Sequence, residues 1–478
     1  MNTFFWYDYE TFGIDTRRDR IAQFAGLRTD EQLQVIDAEV MAHCRIPDDY
    51  LPDPGACLVT GLVPQATLRD GMPEAQFARC VHQELAKPGT CGAGYNSLRF
   101  DDEFTRFLLY RNFFDAYARE WRNGNSRWDL IDAMRLAHAL RPQGIEWPTH
   151  DDGTASFRLE DLTSANGLEH SDAHDALSDV RATLATAQLL RARHPRLFDY
   201  VYRHRDRRSV AKLLDTRARQ VVLHVSSKYP ARLGCIALVA PICCPRGNNR
   251  EIVVFDLRQD PQMLLELSAE EIARRVFTRS EELDNERIAL KTVRLNRAPV
   301  VVPANTLTHE AAERWSIDPL RAQQYLALID ANSDEVTAKL AEVFQPPDRD
   351  PQSADPETAL YESFVEDSDR DLLPSVQAAA SANEFADIAA RFGDKRLREM
   401  LFNYRARNLP QTLTEREQQQ WHQHRRSRLL DGTSGSRSLM QFRGSIESQQ
   451  AREDLTADDR GVLSQLLEYA NSVEESLA

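Results

Sequence analysis

The stretch Phe4-Phe5-Trp6-Tyr7-Asp8-Tyr9-Glu10-Thr11 reads as a buried aromatic strand that ends in acids. Residues two apart on a strand share a face, so Asp8 and Glu10 point the same way. Two neighbouring carboxylates repel unless a cation lies between them. Hard divalent cations such as Mg²⁺ take oxygen ligands of this kind. Acidic pairs also end ordinary solvated strands, so the pair alone leaves a structural and a metal-binding reading open.

Working outward, residues 21–29 and 35–44 read as a second and a third strand. Residues 100–121 carry Phe104, Phe107, Leu108 and Phe114 at helical spacing, and residues 173–193 read as a helix stopped by Pro195. The alternation predicts an α/β domain to about residue 193. From 204 to 344 the texture changes to short β-rich runs at 221–225, 235–239, 252–257 and 293–302, with turn signals such as Gly247-Asn248-Asn249. This predicts a small β-barrel or sheet with helical insertions at 268–277 and 319–343. Residues 345–356 hold four prolines and no apolar period, a linker composition. Helical patterns follow at 372–392, 395–403, 414–430 and 458–477, with a Gly/Ser-rich stretch at 431–448 read as mobile.

Two further acid clusters join the first. Asp101 and Asp102 open the helical stretch after Asn96-Ser97-Leu98-Arg99-Phe100, where an ordinary helix cap would serve equally well. In Ser171-Asp172-Ala173-His174-Asp175-Ala176-Leu177-Ser178-Asp179, His174 stands at a helix entrance and Asp179 lies more than one turn further on. A lone histidine is usually structural. Three acid clusters and a histidine together point to metal-assisted chemistry.

In this order the segments resemble the histidine-containing branch of the DEDD exonuclease superfamily. With Gly94-Tyr95-Asn96, Asn125-Ser126-Arg127-Trp128-Asp129, Ser156-Phe157-Arg158-Leu159-Glu160 and Phe402-Asn403-Tyr404-Arg405-Ala406-Arg407-Asn408, nearly the whole chain resembles the bacterial exodeoxyribonuclease I family. The resemblance is poorest after Leu430. It implies an α/β, ribonuclease-H-like exonuclease domain over 1–194, an SH3-like β-barrel domain over 195–348 and a C-terminal α-helical domain over 352–478. It also implies that Asp8, Glu10, Asp101 and Asp179 hold two Mg²⁺ ions, with Mn²⁺ as a substitute. By the same resemblance His174 is the general base, and Arg158, with Glu10, contacts the substrate phosphate. No position of the acid set is missing.

The implied reaction is processive 3′→5′ hydrolysis of single-stranded DNA to nucleoside 5′-monophosphates, in DNA repair and recombination. Two metals activate water and stabilise the charge of the phosphoryl transition state. The resemblance places Arg106, Tyr117, Trp121 and Arg135 on the DNA side, with Arg207, Lys291 and Arg294 in the middle domain and Asn305 as a lesser candidate. Basic side chains can track phosphates while aromatics stack bases. It implies a second partner too, the acidic tail of single-stranded-DNA-binding protein, met by Arg141 and Tyr200. Where the family has a lysine in that pocket this chain has Gln220, beside Arg219.

Composition bears on these expectations. The chain has 478 residues, enough for two to four domains, and its 59 Lys/Arg against 74 Asp/Glu give −15. That total argues against a generally basic nucleic-acid coat, but the charge is segregated. Residues 191–232 carry a net +9, 287–297 a net +4 and 391–428 a net +6, whereas 348–371 carry −7. Any single charge run is usually a solvated face; three basic stretches favour a composite groove. No apolar run reaches the length of a membrane span, and the N-terminus lacks a cationic, apolar leader. The 7 scattered cysteines contain no CxxC pair. These features predict a cytoplasmic protein with no membrane association, and the resemblance implies a bacterial one acting as a monomer. Two competing readings share the acids and histidine: a related 3′→5′ RNA exonuclease, and a non-catalytic single-strand-binding adaptor.

Overall fold

The structure is a computed structural model that describes residues 2–170, 175–284, 286–345 and 355–478. Contacts divide the chain into two compact units. The first joins residues 1–126, 170–181 and 350–478; the second joins 127–169 and 182–349. The architecture is α/β: two five-stranded sheets with helices between their strands, followed along the chain by a helical C-terminal part.

In the first unit β1 (Thr3–Thr11) pairs antiparallel with β2 (Ile21–Thr29), which pairs antiparallel with β3 (Val40–His43). On its other side β1 pairs parallel with β4 (Thr90–Gly94). The strand expected at 21–29 is present in full. The one expected at 35–44 is regular only over Val40–His43; Val35 and Cys44 at its ends make isolated bridges, to Thr29 and Met72. β1 itself is longer than its aromatic run and carries both acids inside the strand. Phe5, Tyr7 and Tyr9 face a core with Phe24, Phe77, Phe104 and Leu108. The opposite face carries Phe4 and Trp6, stacked at 5.3 Å, and then the two carboxylates.

The helix expected over 100–121 ends at Arg111. Phe113 stands at φ 58°, outside helical backbone, and is held there by burial against Phe392 and Tyr404 of the C-terminal helices. The two ends of the sequence therefore share cores. Phe12, Ala22 and Tyr50 pack with Phe442, Ile446, Leu463 and Leu466. The 431–448 stretch is not the mobile segment its composition suggests. Ser438 caps a helix over Leu439–Gln450 in a reciprocal capping box with Gln441, and Phe442 and Ile446 are fully buried.

A buried ion network ties the same two parts of the first unit. Arg407 reaches Asp49 at 2.7 Å and Glu357 at 2.5 Å. Arg20 meets Glu357 at 2.7 Å, and Arg428 meets Asp355 at 2.8 Å. Most of the proline-rich linker lies outside the described residues, but Asp355 and Glu357 at its end are buried in this network.

The second unit contains β6 to β10, counting the strand Ser126–Asp129 as β5. These are Val222–Val225, Ile236–Cys243, Glu251–Asp256, Leu290–Arg294 and Val301–Pro303, arranged β10-β6-β7-β8-β9 with antiparallel pairing. The run expected over 293–302 breaks into two strands at a turn where Ala298 takes φ 41°. The expected 319–343 helix is two, Pro319–Ala331 and Ser333–Val343, parted at Asn332. No helix among the described residues is long and apolar enough to cross a membrane.

Candidate active site

β1 sets the site. Asp8 and Glu10 project from one face, and antiparallel register puts Glu10 opposite Gln23 of β2. The Gln23 side-chain carbonyl accepts from the backbone N–H of Ala176, the first residue of the helix Ala176–Arg193. That docks the helix so that Asp179, in its first turn, meets the β1 acids. One carboxylate oxygen from each of Asp8, Glu10 and Asp179 lies within 4.8 Å of the others.

The fourth acid comes from the helix Asp101–Arg111. Asp101 is buried, and its Oδ1 accepts from the Tyr9 backbone N–H at 3.3 Å. Its neighbour Asp102 has its own partners: Arg119 at 2.5 Å and the Tyr7 hydroxyl at 2.9 Å. The sequence pair Asp101-Asp102 thus divides its labour, one carboxyl beside the acid cluster and one neutralised in the core.

The cluster is electrostatically costly as it stands. Burial pushes the Asp8 carboxyl well above its ordinary range, and Asp101, Asp179, Glu10 and Asp175 push it further. Glu10 is pushed up to about 9, again by burial first and then by Asp179, Asp101 and Asp175. Asp175 Oδ1 is buried with no hydrogen-bond partner among the described residues. Oxygen donors this close, with Asp8 and Glu10 raised by their acid neighbours, fit a hard divalent cation.

His174 lies outside the described residues. A second histidine does reach the cluster: His170 Nε2 is 2.5 Å from Asp179 Oδ1. Neither His170 nor Asp175 was among the expected site residues, although both stand in or beside the stretch around His174. Nothing in the sequence ranks His170 above the neighbouring His174.

Of the residues expected to meet DNA in the first unit, Trp121 is exposed, 5.6 Å from the Arg122 guanidinium. Arg106 is buried rather than presented, bound to Glu120 and Glu103 at 2.7 Å each and lying 5.5 Å from the Tyr117 ring. In the second unit Arg158 precedes the helix Leu159–Ala165 and pairs with Glu160. Arg135 is buried against Asp132 at 2.6 Å and the Phe157 ring at 5.5 Å. Arg207 donates to the Asn249 carbonyl, Lys291 Nζ sits 4.4 Å over the Tyr229 ring, and Arg294 pairs with Glu251 at 3.0 Å. Arg141 and Tyr200 converge on one segment: Arg141 donates to the Thr306 carbonyl and Tyr200 to the Val301 carbonyl.

Fold and carboxylate cluster define the class, an exonuclease and hence a hydrolase. Family models match along the chain: Exonuclease over 5–187, Exonuclease I SH3-like domain over 205–346 and Exonuclease I C-terminal domain over 354–473. Exodeoxyribonuclease I of Escherichia coli K12 is 44% identical over 427 residues, covering 89% of this chain and 90% of that one. The Haemophilus influenzae enzyme is 38% identical over 470 residues, 98% of each chain. Among solved structures, Exonuclease I of Methylocaldum szegediense aligns with a TM-score of 0.93 at 45% identity, covering 99% of this chain and all of that one. E. coli Exonuclease I in complex with a dA16 oligonucleotide aligns at 0.94 and 40% identity, with 99% and 100% coverage. The chain belongs to the exodeoxyribonuclease I family.

Proposed function

We propose that this chain is a processive 3′→5′ exonuclease that degrades single-stranded DNA to nucleoside 5′-monophosphates, and that it serves DNA repair and recombination in the bacterial cytoplasm as a monomer. The observation that carries the chemistry is the cluster of Asp8, Glu10 and Asp179 oxygens within 4.8 Å, with buried Asp101 beside them. Single-stranded DNA as substrate is supported by relatives: E. coli Exonuclease I has been solved with dA16 and with dT13 oligonucleotides.

Asp8, Glu10, Asp101 and Asp179 would hold two Mg²⁺ ions, or Mn²⁺ in their place. A relative's zinc-bound complex with single-stranded DNA supports divalent-metal use. The ions, when bound, supply the Lewis-acid charge that activates water and stabilises the leaving oxygen. His174 takes the proton from the attacking water, since an imidazole titrates near neutral pH. Arg158, with Glu10, holds the substrate phosphate by charge-assisted hydrogen bonding. Tyr117 and Trp121 stack bases, and Arg106, Arg135, Arg207, Lys291 and Arg294 lie on the DNA side and guide the strand. The working parts are an exonuclease domain over 1–194, an SH3-like domain over 195–348 and a helical domain over 352–478.

Arg141 and Tyr200 receive the acidic tail of single-stranded-DNA-binding protein. A solved structure of an SSB/Exonuclease I pair with an inhibitor supports a partner of that kind. The test is a digest of matched 5′-labelled single-stranded DNA, duplex DNA and RNA with Mg²⁺. A ladder shortening from the 3′ end on single-stranded DNA is the expected result. Preferential loss of RNA, or internal cuts, would contradict the reading. His174→Ala is expected to lose turnover while keeping strand binding; equal loss of both would make it structural.

A further inference from the structure

We propose that His170 is a positioning residue for Asp179, orienting that carboxylate for the divalent cation; this rests on the metal-binding reading above. The imidazole Nε2 donates to Asp179 Oδ1 at 2.5 Å, and the histidine side chain is almost wholly buried, 6% exposed. Asp179 is the one acid of the three-carboxylate cluster that comes from a different segment, the helix Ala176–Arg193, whereas Asp8 and Glu10 are locked on one strand. An aspartate turns freely about its last side-chain bond, so the register of its oxygens must be imposed from outside. A hydrogen bond to one oxygen leaves the other lone pairs free and fixes their direction, as partners behind metal-bound carboxylates do.

His170 is not itself placed to ligate. The oxygen cluster forms from Asp8, Glu10 and Asp179 without it, its near nitrogen is spent on Asp179, and hard cations favour oxygen. Nor does its role duplicate that of His174, since the nitrogen that reaches the site holds a carboxylate rather than facing a water.

The test is calorimetric titration of the full chain with Mn²⁺, without DNA, for the native protein, His170→Ala, His170→Gln and Asp8→Asn. Thermal melts confirm that each variant is folded. His170→Ala is expected to bind Mn²⁺ about 10–100-fold more weakly. His170→Gln, which retains an amide donor, is expected to stay close to native, and it keeps the test open if the alanine variant fails to fold. In digests, His170→Ala is expected to need correspondingly more Mg²⁺ for half-maximal rate and to recover its rate when Mg²⁺ saturates. An unchanged Mn²⁺ isotherm, or a rate deficit that saturating Mg²⁺ leaves in place, overturns the proposal. If the native protein and Asp8→Asn bind Mn²⁺ alike, the metal reading itself has failed, an outcome separate from a failure at His170.

Discussion

The first unit buries two groups of charges, and they are built on opposite principles. Around Asp49 and Glu357 every carboxylate has its cation: Arg407 bridges both, Arg20 adds to Glu357, and Arg428 lies 3.5 Å from Asp49. Burial alone would raise these carboxyls, but the guanidinium charges more than reverse it, and both sit below the ordinary range. Around Asp8 and Glu10 burial acts the same way, and there the neighbouring acids Asp101, Asp179 and Asp175 drive the carboxyls further up. A group that only has to hold the fold brings its counter-ions with it. The acid cluster proposed as the active site has no such counter-ion among the described charges that most shift Asp8 and Glu10, which is what a site completed by a bound cation would show.

The largest effects break the contrast from the active-site side. Asp8→Asn is expected to lower the exonuclease rate on the order of 10²–10³-fold or more, the scale of losing a transition-state charge partner. The same change is expected to raise the melting temperature of metal-free protein, because a repelling charge is gone. A drop in stability would mean that Asp8 is held by cations within the protein after all.

Next in size is Arg407→Met. It leaves Asp49 and Glu357 buried with too little positive charge, so unfolding free energy is expected to fall by about 3–5 kcal/mol. Rate per folded molecule should stay near native at a temperature below the melt. A denaturant titration paired with an activity assay checks both.

The two groups also differ in the sign of their pH dependence. Glu10 has its folded value raised to about 9. Its penalty is absent below the unfolded value and grows as pH rises toward 9, so acid favours the metal-free cluster. Asp49 and Glu357 are lowered, so their contribution is present above the unfolded value and lost as pH falls below it. Melts in EDTA and in Mg²⁺ should therefore differ more at pH 8.5 than at pH 6. An equal Mg²⁺ gain at both pH values would remove the raised carboxyls from the site. The smallest effect is a control: Arg181 pairs with Glu39 at 2.7 Å on the surface, and Arg181→Ala should cost less than about 1 kcal/mol.

The site was more legible than the packing around it. That Asp8 and Glu10 share a face follows from strand periodicity alone; their expected role at a metal, like that of Asp101 and Asp179, comes from segment order in the family. Because a strand repeats every two residues, two characters of sequence place both side chains. The Leu439–Gln450 helix was hidden because the Gly/Ser content of the stretch masks a capping box, which becomes visible only once Phe442 and Ile446 have a core to enter. The stop at Arg111 was hidden for the same reason, since Phe113 leaves the helix to meet residues almost three hundred positions away. The carboxylate partners of Arg106 and Arg135 were not read from the sequence: Glu103 and Glu120 for one, Asp132 for the other. His170 could not be singled out by spacing, because it lies nine residues before Asp179 and ahead of the helix, where periodicity fixes no contact.

The central claim, that the acid cluster is built to be completed by a divalent cation, is tested most directly by Mg²⁺ titration calorimetry at pH 8 in two buffers of different ionisation enthalpy. Saturable binding with proton release, abolished in Asp8→Asn, is the result this account requires. A heat that is independent of buffer and unchanged in Asp8→Asn would contradict it.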